Sequence, residues 1–78
     1  MTATTITGID TAKLHQVEEI LGEHRIANPR VEGDWLVWDL MRDERTVAKR
    51  FDRLKRVHRA SFMRRGRVGV HIDEIAAR

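Results

Sequence analysis

Apolar residues recur at helical spacing near the start of the chain, between residues 10 and 25. They fall three and four positions apart and therefore share one face of a helix, while the glutamates lie on the other faces. Asp10 stands where a helix N-cap is preferred, so the segment predicts an amphipathic helix. The apolar face consists of Leu14, Val17 and Leu21, with His24 expected at the edge of the core.

A second helix is predicted over residues 43–57, again opened by an aspartate, Asp43. Its two sides differ in character. The apolar stripe, which we expect in the core, consists of Val47, Phe51, Leu54 and His58. The opposite side, which we expect to face solvent, carries Arg45, Lys49, Arg53 and Arg56.

Over residues 60–72 the apolar positions recur at every second residue, which predicts a β-hairpin. A three-residue turn at 65–67 would place basic side chains at the tip and would let Phe62 join the apolar face of the hairpin. Asp73 then stands where it would cap a last helical turn.

Residues 35–41, between the two helical segments, fit more than one structure. The Asn28-Pro29 pair marks the end of the first helix, and residues 30–34 read as a connection. The run Trp35-Leu-Val-Trp-Asp-Leu-Met41 fits a short helix capped by Asp34, which we favour because another helix follows it. Its β-branched and aromatic residues also fit a strand, in a hairpin closed at Gly33-Asp34.

These elements predict a mainly α fold with one small β-hairpin. We expect a flexible N-terminal arm over residues 1–8 and a single domain over residues 9–78.

Charge is distributed unevenly along the chain. Residues 1–41 carry three basic and seven acidic side chains, whereas residues 42–71 carry eleven basic and three acidic ones. Solubility alone does not require this segregation. A concentrated basic surface is typical of proteins that bind a polyanion, and nucleic acid is the first expectation. A basic face that is only solvated is the alternative.

The order helix, short helix, basic helix, basic hairpin resembles a winged helix-turn-helix DNA-binding domain. The likeness is carried by the apolar spacing of Leu36-Val-Trp-Asp-Leu40-Met-Arg-Asp43-Glu-Arg-Thr46-Val47-Ala-Lys-Arg-Phe51-Asp-Arg-Leu54, in which Asp43 replaces the usual capping Ser. Met41 and Arg42 depart from the usual turn Gly and the apolar residue after it. The segment from Phe62 to Ile75 is similar to the end of excisionase-like phage and plasmid regulators.

This resemblance implies a transcriptional regulator or a recombination and architectural factor that binds double-stranded DNA. The recognition helix, about 43–57, would lie in the major groove, and the wing, about 60–72, on the backbone or in the minor groove. If about six phosphates are neutralised, log affinity falls against log salt with a slope of about −5. The expected DNA-binding residues are Arg45, Thr46, Lys49, Arg50, Arg53, Arg56, Arg64, Arg65 and Arg67.

Catalysis, metal binding and a cofactor are not expected. The chain has no Cys, its four His match no zinc-ligand spacing, and its small size leaves little room for a closed pocket. No apolar run approaches the roughly 20 residues of a membrane helix, and residues 1–8 lack the pattern of a secretory signal. We therefore expect an intracellular, cytoplasmic protein associated with the nucleoid.

Two other functions stay open. A protein-interaction module, such as an assembly component or inhibitor, would use the acidic first helix and the pair Trp35 and Trp38. The same features, Trp35, Trp38 or helix 10–25, are the expected contacts of a homodimer. Stacking of the two Trp on bases, as in single-strand binders, is the alternative to their expected place in the core or at a dimer contact. RNA binding is the other function, although the sequence predicts no aromatic sheet surface of the kind that single-strand binders use.

Overall fold

Over residues 8–77, which are the residues that the computed structural model describes, the chain forms four strands and three helices. The strands are β1 Ile26–Glu32, β2 Trp35–Leu40, β3 Ser61–Arg64 and β4 Arg67–His71. The helices are α1 Thr11–Leu21, α2 Glu44–Val57 and the short α3 Ile72–Ile75, and a 3₁₀ turn spans Glu23–Arg25. All strand pairs are antiparallel and the order is β1-β2-β4-β3, so β2 and β4 are central.

This is an α+β fold, and the predicted mainly α winged helix-turn-helix is wrong. Residues 35–40, which we favoured as a short helix, form the central strand β2. A strand therefore precedes α2, and no helix stands in the position that the helix-turn-helix requires. The alternative hairpin, closed at Gly33-Asp34, is the one present, since Glu32 pairs with Trp35 across that turn.

The Asn28-Pro29 pair does not mark the end of the first helix, as we predicted, but lies inside β1, and residues 30–32 of the predicted connection belong to the same strand. β1 is an edge strand, and its register with β2 shifts between Ala27 and Arg30, which marks a β-bulge. Asn28 has a φ of 57°, in the left-handed region that asparagine tolerates. Proline lacks an N–H and is accepted at such edges and bulges. The breaker residues therefore bend this strand without ending it.

Both long helices begin where the sequence predicts. The Asp10 carboxylate accepts hydrogen bonds from the N–H groups of Ala12 and Lys13 at 2.8 and 3.3 Å. The Asp43 carboxylate accepts one from the Arg45 N–H at 2.9 Å. α1 ends before the predicted residue 25, at Gly22, whose φ of 91° is open to glycine but strained for other residues. His24 consequently lies exposed in the 3₁₀ turn, and its predicted place at the core edge is wrong.

The second hairpin is present, but its turn is one residue shorter than predicted. Arg64 pairs with Arg67, so only Arg65 and Gly66 form the turn, and both have positive φ, 53° and 73°, as a type I′ turn requires. A change of one residue reverses the faces of a strand. Met63 therefore packs against the core, and Phe62 points to the other side of the sheet.

The segment after the hairpin begins with a different cap from the one expected. The His71 Nδ1 accepts a hydrogen bond from the Asp73 N–H at 3.1 Å, so His71 and not Asp73 caps α3.

The helices cover one face of the sheet, and the core lies between the two layers. Trp38 is its largest side chain and is fully buried, with its indole Nε1–H donating to the Glu18 carboxylate of α1 at 3.4 Å. The fully buried apolar side chains that surround Trp38 are Val17, Leu21, Leu36, Val47, Leu54, Val68, Val70 and Ile75.

Among residues 8–77, His58 is the one ionisable side chain that is buried, at the rim of this core, with 6% of its surface exposed. It follows α2, on the apolar stripe that the sequence predicts. Its Nδ1 lies 3.4 Å from the Glu74 carboxylate of α3, whereas its Nε2 has no hydrogen-bond partner among residues 8–77. His58 therefore ties α3 to the end of α2.

Because Leu54 is fully buried between the layers, we expect Leu54→Ala to destabilise the fold by about 2–5 kcal/mol. Denaturant unfolding monitored by circular dichroism measures this change. Val57, which lies on the same helix and is 46% exposed, gives a matched control, since Val57→Ala is expected to cost less than about 0.5 kcal/mol. Equal effects of the two substitutions would contradict the placement of α2.

Candidate nucleic-acid interface

Helix α2 directs a row of cations into solvent. Its inward side is fixed by Val47 and Leu54, which are fully buried, so the side chains half a turn away must point outward. These exposed side chains are Arg45, Lys49, Arg53 and Arg56, all four of the basic residues predicted for this side. We call this surface the α2 basic face.

The charges of the α2 basic face are almost unopposed. Arg45 lies 3.5 Å from the Asp43 carboxylate, but its side chain is 93% exposed, so the pair is weak and screened. Within residues 8–77, no carboxylate lies within ion-pair distance of Lys49, Arg53 or Arg56. The surface thus keeps its positive charge available for an external anion.

A shallow depression of about 330 Å³ lies on this side of the helix, lined by Thr46, Lys49, Arg50 and Arg53. Arg50 differs from its neighbours because its guanidinium reaches α1 and donates to the Ile20 carbonyl at 3.4 Å. Arg50 is half-buried, and this hydrogen bond connects α2 to α1. The structure therefore brings together four predicted site residues here, and one of them also holds α1 to α2.

The neighbouring helix α1 limits how an anion approaches. Glu19 of α1 shares a second depression, of about 260 Å³, with Arg53. A carboxylate beside the C-terminal half of α2 repels phosphate there. The N-terminal half also has two acids, but the Asp43 carboxylate accepts from the Arg45 N–H and the Glu44 carboxylate from the Gly66 N–H, so we favour an approach on that side, at Arg45 and Lys49.

The three predicted hairpin arginines are separated from the α2 basic face. Arg64 and Arg67 form a cross-strand pair on the sheet face that the helices do not cover. Arg65 lies in the turn, which sits beside the start of α2 because the Gly66 N–H donates to the Glu44 carboxylate at 3.3 Å. Of the three, Arg65 alone lies in the turn that contacts the start of α2, whereas Arg64 and Arg67 direct their side chains to the other face of the sheet.

Sequence reasoning missed a second surface, the uncovered face of the sheet, which we call the open sheet face. Trp35 and Phe62 lie there with their ring centroids 5.2 Å apart, edge to face, and the His71 ring is 5.1 Å from Trp35. An open cleft of about 450 Å³ borders the two larger rings. The expectation that no aromatic sheet surface exists is wrong, because it depended on a helix at 35–41 and on a longer hairpin turn.

A polar network lies beside these rings. The Arg30 guanidinium contacts the Glu32 carboxylate at 2.7 Å and the Asp39 carboxylate at 3.0 Å. Hydrogen bonds with Glu32 and then Asp39 raise the pKa of Arg30 above its ordinary value. The Asn28 side-chain amide donates to Asp39 at 3.0 Å, and this bond, followed by that from Arg30, lowers the pKa of Asp39. Asn28 and Arg30 thus favour the charged form of Asp39.

Comparisons with protein-family models, with curated proteins and with solved structures return no match for this chain. No relative therefore bears on the predicted family. Within residues 8–77, no helix is long and apolar enough to cross a membrane. The same range contains no group of three or more His, Asp or Glu side chains arranged to hold a metal ion.

The lowered pKa of Asp39 makes the network sensitive to acid. A carboxyl whose pKa is lower in the folded state stabilises the fold above its unfolded pKa, ordinarily 3.8, and this stabilisation is lost as pH falls through the folded value. We expect Asp39→Asn to lower the melting temperature slightly at neutral pH, with the two curves converging below pH 3.8. Thermal unfolding across the acidic range measures this.

Asp52 is exposed on α2 and forms no ion pair within residues 8–77, so Asp52→Asn removes a charge without breaking an ion pair and is the control, expected to lower the melting temperature less than Asp39→Asn at neutral pH. If the deficit of Asp39→Asn persisted unchanged in acid, the carboxylate would not be the group that stabilises the network.

Proposed function

We propose that this protein binds double-stranded DNA through the α2 basic face. The observation that supports this is the row Arg45, Lys49, Arg53 and Arg56 on one exposed side of a 14-residue helix, with a carboxylate partner within residues 8–77 for Arg45 alone. Solvated cations on ordinary helices alternate with acids or pair with them. A row of four exposed cations with one weak ion pair matches the charge of a phosphate backbone, although Asp52 is also exposed on the same helix.

An α-helix fits the major groove, which is about 12 Å wide, and arginine there makes paired contacts with guanine O6 and N7. The N-terminal half of α2 approaches most favourably, because Glu19 lies beside the other half. Arg45 and Thr46 then lie nearest the bases, and Lys49, Arg53 and Arg56 lie nearest the phosphates. The protein would act by occupancy, as a regulator or an architectural factor that blocks or assembles other proteins on DNA.

Arg65 supports a further contact with the backbone. It has a φ of 53°, which is unfavourable for an arginine, where asparagine or glycine is the usual choice in a type I′ turn. A strained residue at an exposed turn often marks a functional position. The turn lies beside the start of α2, which supports a contact between Arg65 and a phosphate flanking the groove.

The competing protein-interaction module loses part of its proposed contact patch. Trp38 is fully buried, so only Trp35 of the predicted pair reaches the surface, and Trp38 is not available to a homodimer either. The acidic side of α1 stays exposed. The absence of DNA binding in the experiments with Lys49 variants would favour a protein partner.

We expect Lys49→Glu to weaken binding to duplex DNA by roughly tenfold or more, because it places a negative charge in the middle of the α2 basic face. The milder Lys49→Gln is expected to reduce the salt slope of log affinity by about 1. Fluorescence anisotropy with labelled duplex DNA at several salt concentrations measures both effects.

Lys13, exposed on α1, gives a matched control, since Lys13→Glu makes the same change in net charge on the acidic helix. Its affinity is expected to fall much less than that of Lys49→Glu. Equal losses of affinity in the two variants would show that only net charge attracts the DNA. If the wild-type protein does not bind duplex DNA at low salt, the proposed function of α2 is wrong.

Arg65→Asn is expected to separate stability from binding. Asparagine accepts the left-handed conformation more readily, so the variant should be more stable by about 0.5–1 kcal/mol while binding duplex DNA more weakly. Denaturant unfolding and anisotropy together measure the two changes. A more stable variant with unchanged affinity would remove Arg65 from the interface.

A further inference from the structure

The open sheet face offers aromatic surface that no helix of residues 8–77 covers. Trp35 and Phe62 are both half-buried, and both border the cleft, so each ring keeps part of its surface accessible. The end of the Phe62 ring lies over Gly69 of β4, where a Cβ would come within 2.7 Å of the ring Cζ. The absence of a side chain at Gly69 therefore sets the position of Phe62 beside Trp35.

The cleft between these rings and the hairpin has the size of a small-ligand site. Its volume of about 450 Å³ lies within the roughly 300–1,000 Å³ of typical pockets. Val37, on the strand between the rings and the arginines, is 2% exposed and belongs to its lining. Arg64 and Arg67 line it as well, so an apolar surface and two cations meet in one concavity.

The charge of the cleft favours an anionic partner. Glu32 is its one acidic residue, and this carboxylate already contacts Arg30 at 2.7 Å, with Arg67 farther away at 3.4 Å. Arg64 has no carboxylate partner within residues 8–77. Arg65 follows in the turn. The hairpin end of the cleft thus keeps a positive charge beside its aromatic rings.

We propose that the open sheet face binds a single DNA strand, with a base stacked against Trp35 and Phe62 and the adjoining phosphates held by Arg64 and Arg67. Aromatic rings beside a basic groove are the combination by which proteins bind unpaired strands, because every base has a face to stack and every linkage has a charge. The choice of DNA over RNA rests on the proposed function. The existence of the site does not depend on the proposed function, because the site lies across the sheet from α2.

The two tryptophans make the test specific. Trp35 borders the cleft, whereas Trp38 is fully buried on the other side of the sheet. A base that stacks on Trp35 quenches its fluorescence and leaves that of Trp38 unchanged. Titration of the full chain with a short oligothymidylate is expected to quench part of the emission, and the quenching should be absent in Trp35→Phe.

Three further variants separate this site from the α2 basic face. Arg64→Gln, at an exposed position that should not affect folding, is expected to weaken the quenching titration. Gly69→Ala should weaken it too, because the added Cβ displaces the Phe62 ring. Lys49→Gln is expected to leave the single-strand titration nearly unchanged while it weakens duplex binding. Quenching that fell with Lys49→Gln but not with Arg64→Gln would overturn the assignment.

A second set of experiments compares different ligands. An abasic strand of the same length keeps the phosphates but loses the stacking, so it is expected to bind roughly 5- to 150-fold more weakly. Equal binding of the abasic strand or of polyglutamate would show an attraction of charge alone and overturn the proposal. Tighter binding of the matching RNA would overturn the choice of DNA. A stable dimer that dissociates in Trp35→Phe, without quenching by any strand, would assign the face to self-association.

Discussion

The two-residue period of strand β2 determines which surface each of its side chains joins. Trp35 and Trp38 are three positions apart, and in a strand this odd spacing sends them to opposite faces. Trp38 fills the core against α1 and α2, and Trp35 lies on the open sheet face. In a helix the same two side chains would lie close to one face, and the domain would have neither its central core residue nor its aromatic cleft.

The charges follow the same division into two layers. The helical layer carries the α2 basic face, and the sheet carries Arg30, Arg64 and Arg67 on its far side, in a domain whose shortest extent is 21 Å. Arg30 is committed to two carboxylates, whereas most of the α2 cations are not. A count of basic residues along the chain merges these groups, and only the fold shows that they serve separate surfaces.

Local signals were sufficient to predict the existence of α1, α2 and the β3–β4 hairpin, because Asp10, Asp43 and the alternation near Val68 act within a few residues, but they misplaced the end of α1 and the hairpin turn. They were insufficient for β1 and β2. Pro29 is a breaker in most contexts and acceptable at an edge bulge, and an apolar run as short as 35–40 has no decisive period. The aromatic cleft could not be predicted from local sequence, because Trp35 and Phe62 lie on different strands that meet only through their separate pairing with β4.

The two outer strands are poorly suited to recruit another strand. β1 is bent by its bulge and lacks one N–H at Pro29, and β3 is only four residues long and ends at Arg64. Such irregular, short or charged borders are how natural sheets resist edge-to-edge aggregation. Growth of a fibril by pairing of one strand edge with another is therefore disfavoured at both borders, so contacts with other molecules fall to the side chains of the sheet and not to unpaired backbone groups.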